Sequence, residues 1–160
     1  MMPEGFAIRP FRLADAAGVA GIFHRAVEGI APRHYTPGQI AAWLSDPPTA
    51  QSVAEDSCDG RQVFVVADGD DKPVAYIDLE PDGHIDMLFC LPEAAGRGLG
   101  SALCVRVEQA ARQAGMTRLY VEASELAKPV FQRHGFSVLA RRDFDLAGAA
   151  VHNYAMEKRL

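Results

Sequence analysis

The sequence predicts an α/β fold of the α+β kind, a mixed and mostly antiparallel β-sheet flanked by helices. Three observations carry that reading. Apolar residues Ala16, Val19, Phe23 and Val27 recur at helical spacing near the N-terminus. Between Val63 and Leu91 the pattern changes to short apolar runs separated by tight-turn residues, which are strands. The glycine-rich turn Gly96-Arg97-Gly98-Leu99-Gly100 then joins the last run to an amphipathic helix and a further strand. With 160 residues the chain is near the mode for one domain and long enough for one core, so a single domain over 1–160 is expected.

Taken in order, Phe6 to Phe11 has strand character and Asp15 is placed to cap the first helix. Ile30 to Tyr35 reads as loop. Thr36-Pro37 starts a second helix, threonine as N-cap and proline at the first helical position, and Asp46-Pro47-Pro48 ends it. Thr49 to Cys58 forms a further short helix before Gly60. Val63 to Ala67, Val74 to Leu79 and Ile85 to Leu91 are strands of an antiparallel meander, turning at Asp68-Gly69-Asp70-Asp71 and Pro81-Asp82-Gly83. Leu99, Leu103, Val107, Ala110 and Ala114 mark the amphipathic helix, closed by Gly115. Arg118 to Glu122 is the next strand, and strand, helix and strand together imply a parallel crossover. A short helix from Leu126 to Arg133 and closing strands over about Phe136 to Leu146 and Val151 to Lys158 complete the sheet.

Composition excludes several classes. Hydrophobic residues make up 49% and charged residues 23%, the balance of a soluble globular protein. No apolar run approaches the roughly 20 residues of a membrane helix, and Met1-Met2-Pro3-Glu4-Gly5 lacks the pattern of a signal peptide, so a cytoplasmic location is expected. A net charge of −5 with interspersed signs argues against nucleic acid. Cys58, Cys90 and Cys104 are odd in number, lack metal-ligand spacing and read as buried reduced thiols, and no metal site is expected from the spacing of the histidines.

The glycine turn is an anion cradle in outline, because a strand that ends in glycines and feeds a helix aims unpaired N–H groups and the positive end of the helix dipole at one point. A P-loop is excluded, since Ser101-Ala102 follows the last glycine where lysine is required. A dinucleotide fingerprint matches only in part, with Leu103 or Ser101 in the third glycine position and Glu122 imitating the ribose-binding acid. One parallel unit behind an antiparallel meander also lacks the doubly wound half-sheet that fingerprint belongs to.

The run from Leu88 to Leu103 resembles the acyl-CoA motif of the GNAT superfamily of N-acetyltransferases, and Phe131-Gln132-Arg133-His134-Gly135-Phe136 resembles a second motif of that family. The order of elements is similar over essentially the whole chain. Within the superfamily, Tyr35-Thr36-Pro37 with Gln39 and Trp43, Glu122-Ala123-Ser124 and Ala127-Lys128-Pro129 are similar to the YafP-like bacterial branch. The resemblance implies a splayed sheet and direct transfer of the acetyl group of acetyl-CoA to a primary amine of a small molecule. Its alternatives are a non-catalytic acyl-CoA sensor and a protein or peptide N-acetyltransferase. A homodimer is suggested by analogy alone. Two departures stand out: Ala95 replaces the usual arginine or glutamine, and Phe131 stands where many members have a tyrosine that protonates the leaving thiolate.

Carried over by position, the resemblance gives the thioester and pantetheine contacts to Leu88, Phe89 and Cys90, and the diphosphate to Arg97, Gly98, Leu99, Gly100 and Ser101. Ser124 and Phe131 also fall beside the cosubstrate, Ser124 with a second reading as a helix cap. Strand alternation puts His84, Asp86, Leu88 and Cys90 on one face, so Asp86 and His84 are the candidate bases. Asp86 reads equally as a cross-strand hydrogen-bond partner, and His84 as a hairpin residue. Tyr154 is a remaining phenol for the acid. His24, Tyr35, Gln39 and Trp43, on the first two helices and their connection, are expected to form the acceptor pocket, where tyrosine and tryptophan suit a partly apolar or aromatic amine.

Overall fold

The computed structural model describes residues 2–160. A short strand β1 (Ala7–Pro10) leads through a 3-10 turn into helix α1 (Ala16–Gly29), followed by α2 (Pro37–Trp43) and α3 (Ala50–Asp56). Strands β2 (Gln62–Ala67), β3 (Pro73–Leu79), β4 (His84–Ile85) and β5 (Leu88–Cys90) come next, then α4 (Leu99–Gln113), β6 (Arg118–Ala123), α5 (Lys128–Arg133), β7 (Ser137–Leu146) and β8 (Ala149–Arg159). The mixed, mostly antiparallel architecture is as the periodicity predicts.

Local chemistry explains most boundaries. Thr36 accepts the N–H of Gln39 while the Gln39 side chain accepts the N–H of Thr36, a reciprocal cap that starts α2 where the sequence places it. Asp15 departs from expectation. Its carboxylate takes two bonds from the Arg9 guanidinium, at 2.7 and 2.9 Å, and the N–H of Arg12 at 2.8 Å, so it closes the 3-10 turn before α1 and makes no side-chain cap on α1 itself. Arg9 holds the Asp15 carboxyl below its ordinary range, outweighing burial.

The expected continuous strand Ile85 to Leu91 is broken in two, and the expected single sheet divides with it. The first sheet runs β1-β2-β3-β5 and the second β4-β6-β8-β7. β4 pairs parallel with β6, His84 opposite Tyr120, whereas β5 pairs antiparallel with β3, Phe89 opposite Tyr76. The cause is Asp78, buried on β3. Its Oδ1 accepts the N–H groups of Asp86 and Met87 at 2.9 and 2.8 Å, and its Oδ2 takes the Arg61 guanidinium at 2.8 Å. Two consecutive N–H groups turned toward one carboxylate cannot both serve a ladder, so the alternation breaks there. Ile85 consequently shares the main core with Leu88 and Cys90, against the expectation that they lie on opposite faces.

Gly83 fixes the other side of the junction. Its φ is +94°, and a Cβ there would sit 2.3 Å from the Arg118 carbonyl oxygen, so only glycine lets the β4 turn approach β6 this closely. α4 covers one face of the molecule: Leu103 and Val107 are fully buried against Val66 and Ile77 of the first sheet and Leu119 and Met156 of the second. Burying each such leucine contributes about 1.5–3 kcal/mol. α1 covers the other face through Val19 and Ile22 against Val65 and Tyr76. Of the cysteines, Cys104 is buried and Cys90 half-buried, but Cys58 is exposed, which corrects the reading of three buried thiols. Among the described residues no helix is long and apolar enough to cross a membrane.

Candidate active site

Past the junction, β5 stays with β3 while β6 continues with β8, and a cavity of about 470 Å3 opens between them. Leu88, Phe89 and Cys90 form one wall, Glu122 and Ser124 another, and Gly98, Leu99, Gly100 and Ser101 the end at the α4 N-terminus. The backbone of β5 is sorted by its register. The Leu91 N–H bonds the Val74 carbonyl and the Asp78 N–H bonds the Met87 carbonyl, so alternation turns the polar groups of Phe89 toward β3 and those of Leu88 and Cys90 toward the gap. Of the three residues expected to contact the thioester and pantetheine, Phe89 thus turns its N–H away from the gap, and its side chain packs on Phe23 with ring centroids 4.9 Å apart. Burial pushes the Cys90 thiol up to about 11, so it stays protonated.

The glycine turn has the form its composition predicts. Gly96 and Gly98 adopt φ of +77° and +79°, conformations that cost side-chain-bearing residues about 1–2 kcal/mol. Gly98 is the N-cap of α4 and no side chain caps it. Among the described residues nothing accepts a hydrogen bond from the N–H groups of Arg97, Gly98, Leu99, Gly100 or Ser101. These donors and the helix dipole converge on one end of the cavity, a fit for a diphosphate. The Arg97 guanidinium lies outside the cavity lining, 5.8 Å from the centre of the Phe6 ring.

Other predicted residues fall elsewhere. Phe131 is 1% exposed and packs edge-on against Phe136, with centroids 5.0 Å apart, away from the cavity lining; an apolar ring with no polar tip is drawn into the core. Ser124 lines the cavity and its hydroxyl accepts the Ala127 N–H at 3.2 Å, so the capping and lining readings both apply. Tyr35 and Trp43 line the cavity and meet edge-to-face at 4.3 Å. Gln39 does not: its amide closes the α2 cap and donates to the Ala150 carbonyl at 3.0 Å, tying α2 to β8. His24 pairs with Glu28 at 3.0 Å one turn further along, on the exposed face of α1.

Asp86 is exposed outside the cavity, with Arg61 at 3.4 Å. His84 stands behind the cavity wall, its Nε2 2.6 Å from Glu122 Oε2 and its Nδ1 3.2 Å from Glu80 Oε1, stacked on Tyr120. Burial opposes charge on His84, but the bonds and charges of Glu122 and Glu80 outweigh it and raise the imidazole above its ordinary value. Tyr154 donates its hydroxyl to Glu125 Oε1 at 2.6 Å, the oxygen that His152 also reaches, and that bond raises the phenol pKa. Glu80, His84 and Asp86 come within 4.8 Å of one another, a cluster that linear spacing did not reveal. Arg61 already sits against it, 3.6 Å from Glu80 as well as 3.4 Å from Asp86.

The acceptor side of the cavity has walls that sequence reasoning passed over. Phe23 and Val27 of α1, Phe144 of β7 and Asn153 of β8 join Tyr35 and Trp43 there. Phe23 and Val27 were legible as an apolar helix face but not as a cavity wall. Asn153 lay in a strand with no motif around it.

Comparison with known proteins agrees with this fold. A model of the acetyltransferase (GNAT) domain matches residues 31–158. The uncharacterized N-acetyltransferase YafP of Escherichia coli is 34% identical over 149 residues, 93% of each chain. The crystal structure of a GCN5-related N-acetyltransferase from Rhodopseudomonas palustris superposes with a TM-score of 0.87 at 30% identity, over 100% of this chain and 99% of that one. The PaiA N-acetyltransferase of Thermoplasma acidophilum, crystallised in complex with coenzyme A, shares the fold with a TM-score of 0.77 at 15% identity, over 97% and 99%. The chain belongs to the GNAT acetyltransferase family and is an acyltransferase.

Proposed function

We propose that the protein transfers the acetyl group of acetyl-CoA directly to a primary amine of a small molecule with an apolar or aromatic body. The observation that carries this reading is the one cavity joining free donors at Gly98 to Ser101, the gap-facing backbone of Leu88 and Cys90, and the carboxylate of Glu122. When bound, the cosubstrate supplies an activated thioester. The N–H groups at the α4 N-terminus hold its diphosphate, and those of Leu88 and Cys90 orient its arm and polarise the carbonyl, an effect worth a few kcal/mol per donor in comparable sites. Phe23, Val27, Tyr35, Trp43 and Phe144 exclude water and pack on the acceptor.

The amine nitrogen forms the new bond to the carbonyl carbon, the carbon–sulfur bond breaks, and the products are an amide, a thiol and one proton from an ammonium substrate. Glu122 is the carboxylate in the cavity wall, and it receives that proton with His84 and Glu80 leading away from it. Asp86, engaged with Arg61 outside the cavity, has no such access, so the role of base passes to Glu122. A free thiol pKa near 8.5 lets water protonate the leaving thiolate, and Phe131 is no obstacle. Glu122→Gln is expected to lower kcat by about 100-fold while leaving CoA affinity within about twofold, and Asp86→Asn to change kcat by less than about threefold. Steady-state kinetics over an amine panel with CoA titration checks this. The reverse ranking of the two variants would return the base to Asp86, and CoA binding without turnover of any amine would make the protein a sensor.

A further inference from the structure

Asn153 is the unsatisfied group of the acceptor cleft. It lies in β8 opposite Arg142 of β7, one step beyond the pair Ala123 and Tyr154. Pairing of Glu122 with Ala155 puts Glu122 and Asn153 on the same face of the sheet as diagonal neighbours, within reach of one small group. Both line the cavity. The Oδ1 of Asn153 is shielded from solvent and has no hydrogen-bond partner, and among the described residues no other buried side-chain nitrogen or oxygen is in that condition. A carbonyl oxygen left so costs about 1–3 kcal/mol, a cost that an apolar residue of the same shape does not incur. Rotation about the last bond of an asparagine is soft, so the oxygen turns into the cavity without movement of β8 when a donor arrives there.

The donor side of the cavity already has its own complement of N–H groups, at Leu88, Cys90 and the glycine turn, whereas Glu122 and Asn153 set two side-chain acceptors on the other side. We propose that Asn153 accepts a hydrogen bond from the acceptor nitrogen beside Glu122 and thereby restricts the enzyme to primary amines. This rests on the amine-acetylation reading above. An uncharged primary amine has two N–H groups and one lone pair. One N–H goes to Glu122 and the other to Asn153, and the lone pair is left aimed at the thioester carbon. A secondary amine has a single N–H, so it leaves one of the two oxygens unmet and brings a methyl group against it.

The test compares 2-phenylethylamine with N-methyl-2-phenylethylamine as probes, using acetyl-CoA and the wild type, N153A, N153L and N153D. The wild type is expected to prefer the primary amine by at least about tenfold in kcat/KM, the equivalent of one hydrogen bond. N153A and N153L are expected to lose about tenfold on the primary amine, nearly all of it in the amine KM, and to discriminate by less than about threefold, with the KM for acetyl-CoA unchanged. N153D, which keeps an oxygen in place, retains the preference. N153L melts no lower than the wild type, because it removes an unpaired oxygen from the free protein, and this separates recognition from misfolding. Undiminished preference in both N153A and N153L overturns the proposal, as does a change confined to the KM for acetyl-CoA. Absence of turnover of any amine by the wild type overturns the acetylation reading first, and this proposal with it.

Discussion

His84 illustrates how a single residue acquires a role from three neighbours. Its imidazole lies between Glu80 and Glu122, with the Tyr120 ring stacked on it at 4.8 Å. Its pKa is raised, so the protonated form is stabilised in the folded state; that contribution is complete below the ordinary value of about 6.5 and lost as pH rises through the folded value. The protonated histidine also holds Glu122 by a charged bond and makes it a poorer base. Activity is therefore expected to rise with pH through an ionisation above about 6.5 that stays fixed when the amine is changed, and His84→Gln to abolish that ionisation. A pH–rate profile of both forms with two amines of different basicity checks this. At this scale the sequence indicated His84 but not its pairing with Glu122, because the distance across the sheet that joins them is not local information. Phe131 shows the converse: its motif position was legible, but the structure packs its side chain in the core against Phe136.

Among the elements, the break between β4 and β5 decides where the gap opens, and Asp78 with Arg61 makes the break. Burial drives the Asp78 carboxyl up to about 6, against the Met87 N–H and the Arg61 charge that lower it, with Asp86 adding to the rise. A folded value raised above the unfolded one of about 3.8 means that stability declines as pH rises from about 4 to about 6. Asp78→Asn is expected to flatten that part of the profile, as denaturant titrations between pH 4 and 7 would show. Asp78→Ala strands the buried N–H groups of Asp86 and Met87, whereas Arg61 keeps its bonds to Asp59, and a loss of about 2–6 kcal/mol is expected, because each buried donor left unsatisfied costs about 1–3 kcal/mol. The glycine turn makes an independent prediction. Gly98→Ala places a side chain at φ +79°, where no atom lies within 4 Å of the added Cβ, so its effect is conformational. Calorimetry with CoA should show weaker binding by about tenfold, with the helix intact by circular dichroism.

On the scale of the molecule, the two sheets are joined through the segment His84–Cys90 and through α4, which packs on both. A ligand in the gap would bridge them. CoA at 100 times its Kd is expected to stabilise the fold by about 2.7 kcal/mol, measured as a rise in Tm. Amide exchange gives a sharper test. Leu88, Cys90 and Arg97 to Ser101 should gain protection with CoA, whereas Phe89, already facing β3, should be protected before it is added. Equal response of Leu88, Phe89 and Cys90 would contradict the register that opens the gap.

Alternating and helical periodicity, the turn residues and the Gly96–Gly100 run by themselves determined the elements, their order and the anion cradle, since each depends on backbone conformations that nearby residues dictate. The resemblance to GNAT acetyltransferases rested on the same local runs. Tertiary structure alone decided that Ile85 to Leu91 is two strands in two sheets, that Gln39 ties α2 to β8, and that Glu122 and Asn153 line one cleft. Those outcomes are set by partners distant along the chain: a carboxylate on β3 for Asp86 and Met87, a carbonyl on β8 for Gln39, and the β6–β8 register for the cleft. Which of several competing hydrogen bonds a polar group makes is fixed by what the fold brings within about 3 Å of it, and no local pattern encodes that.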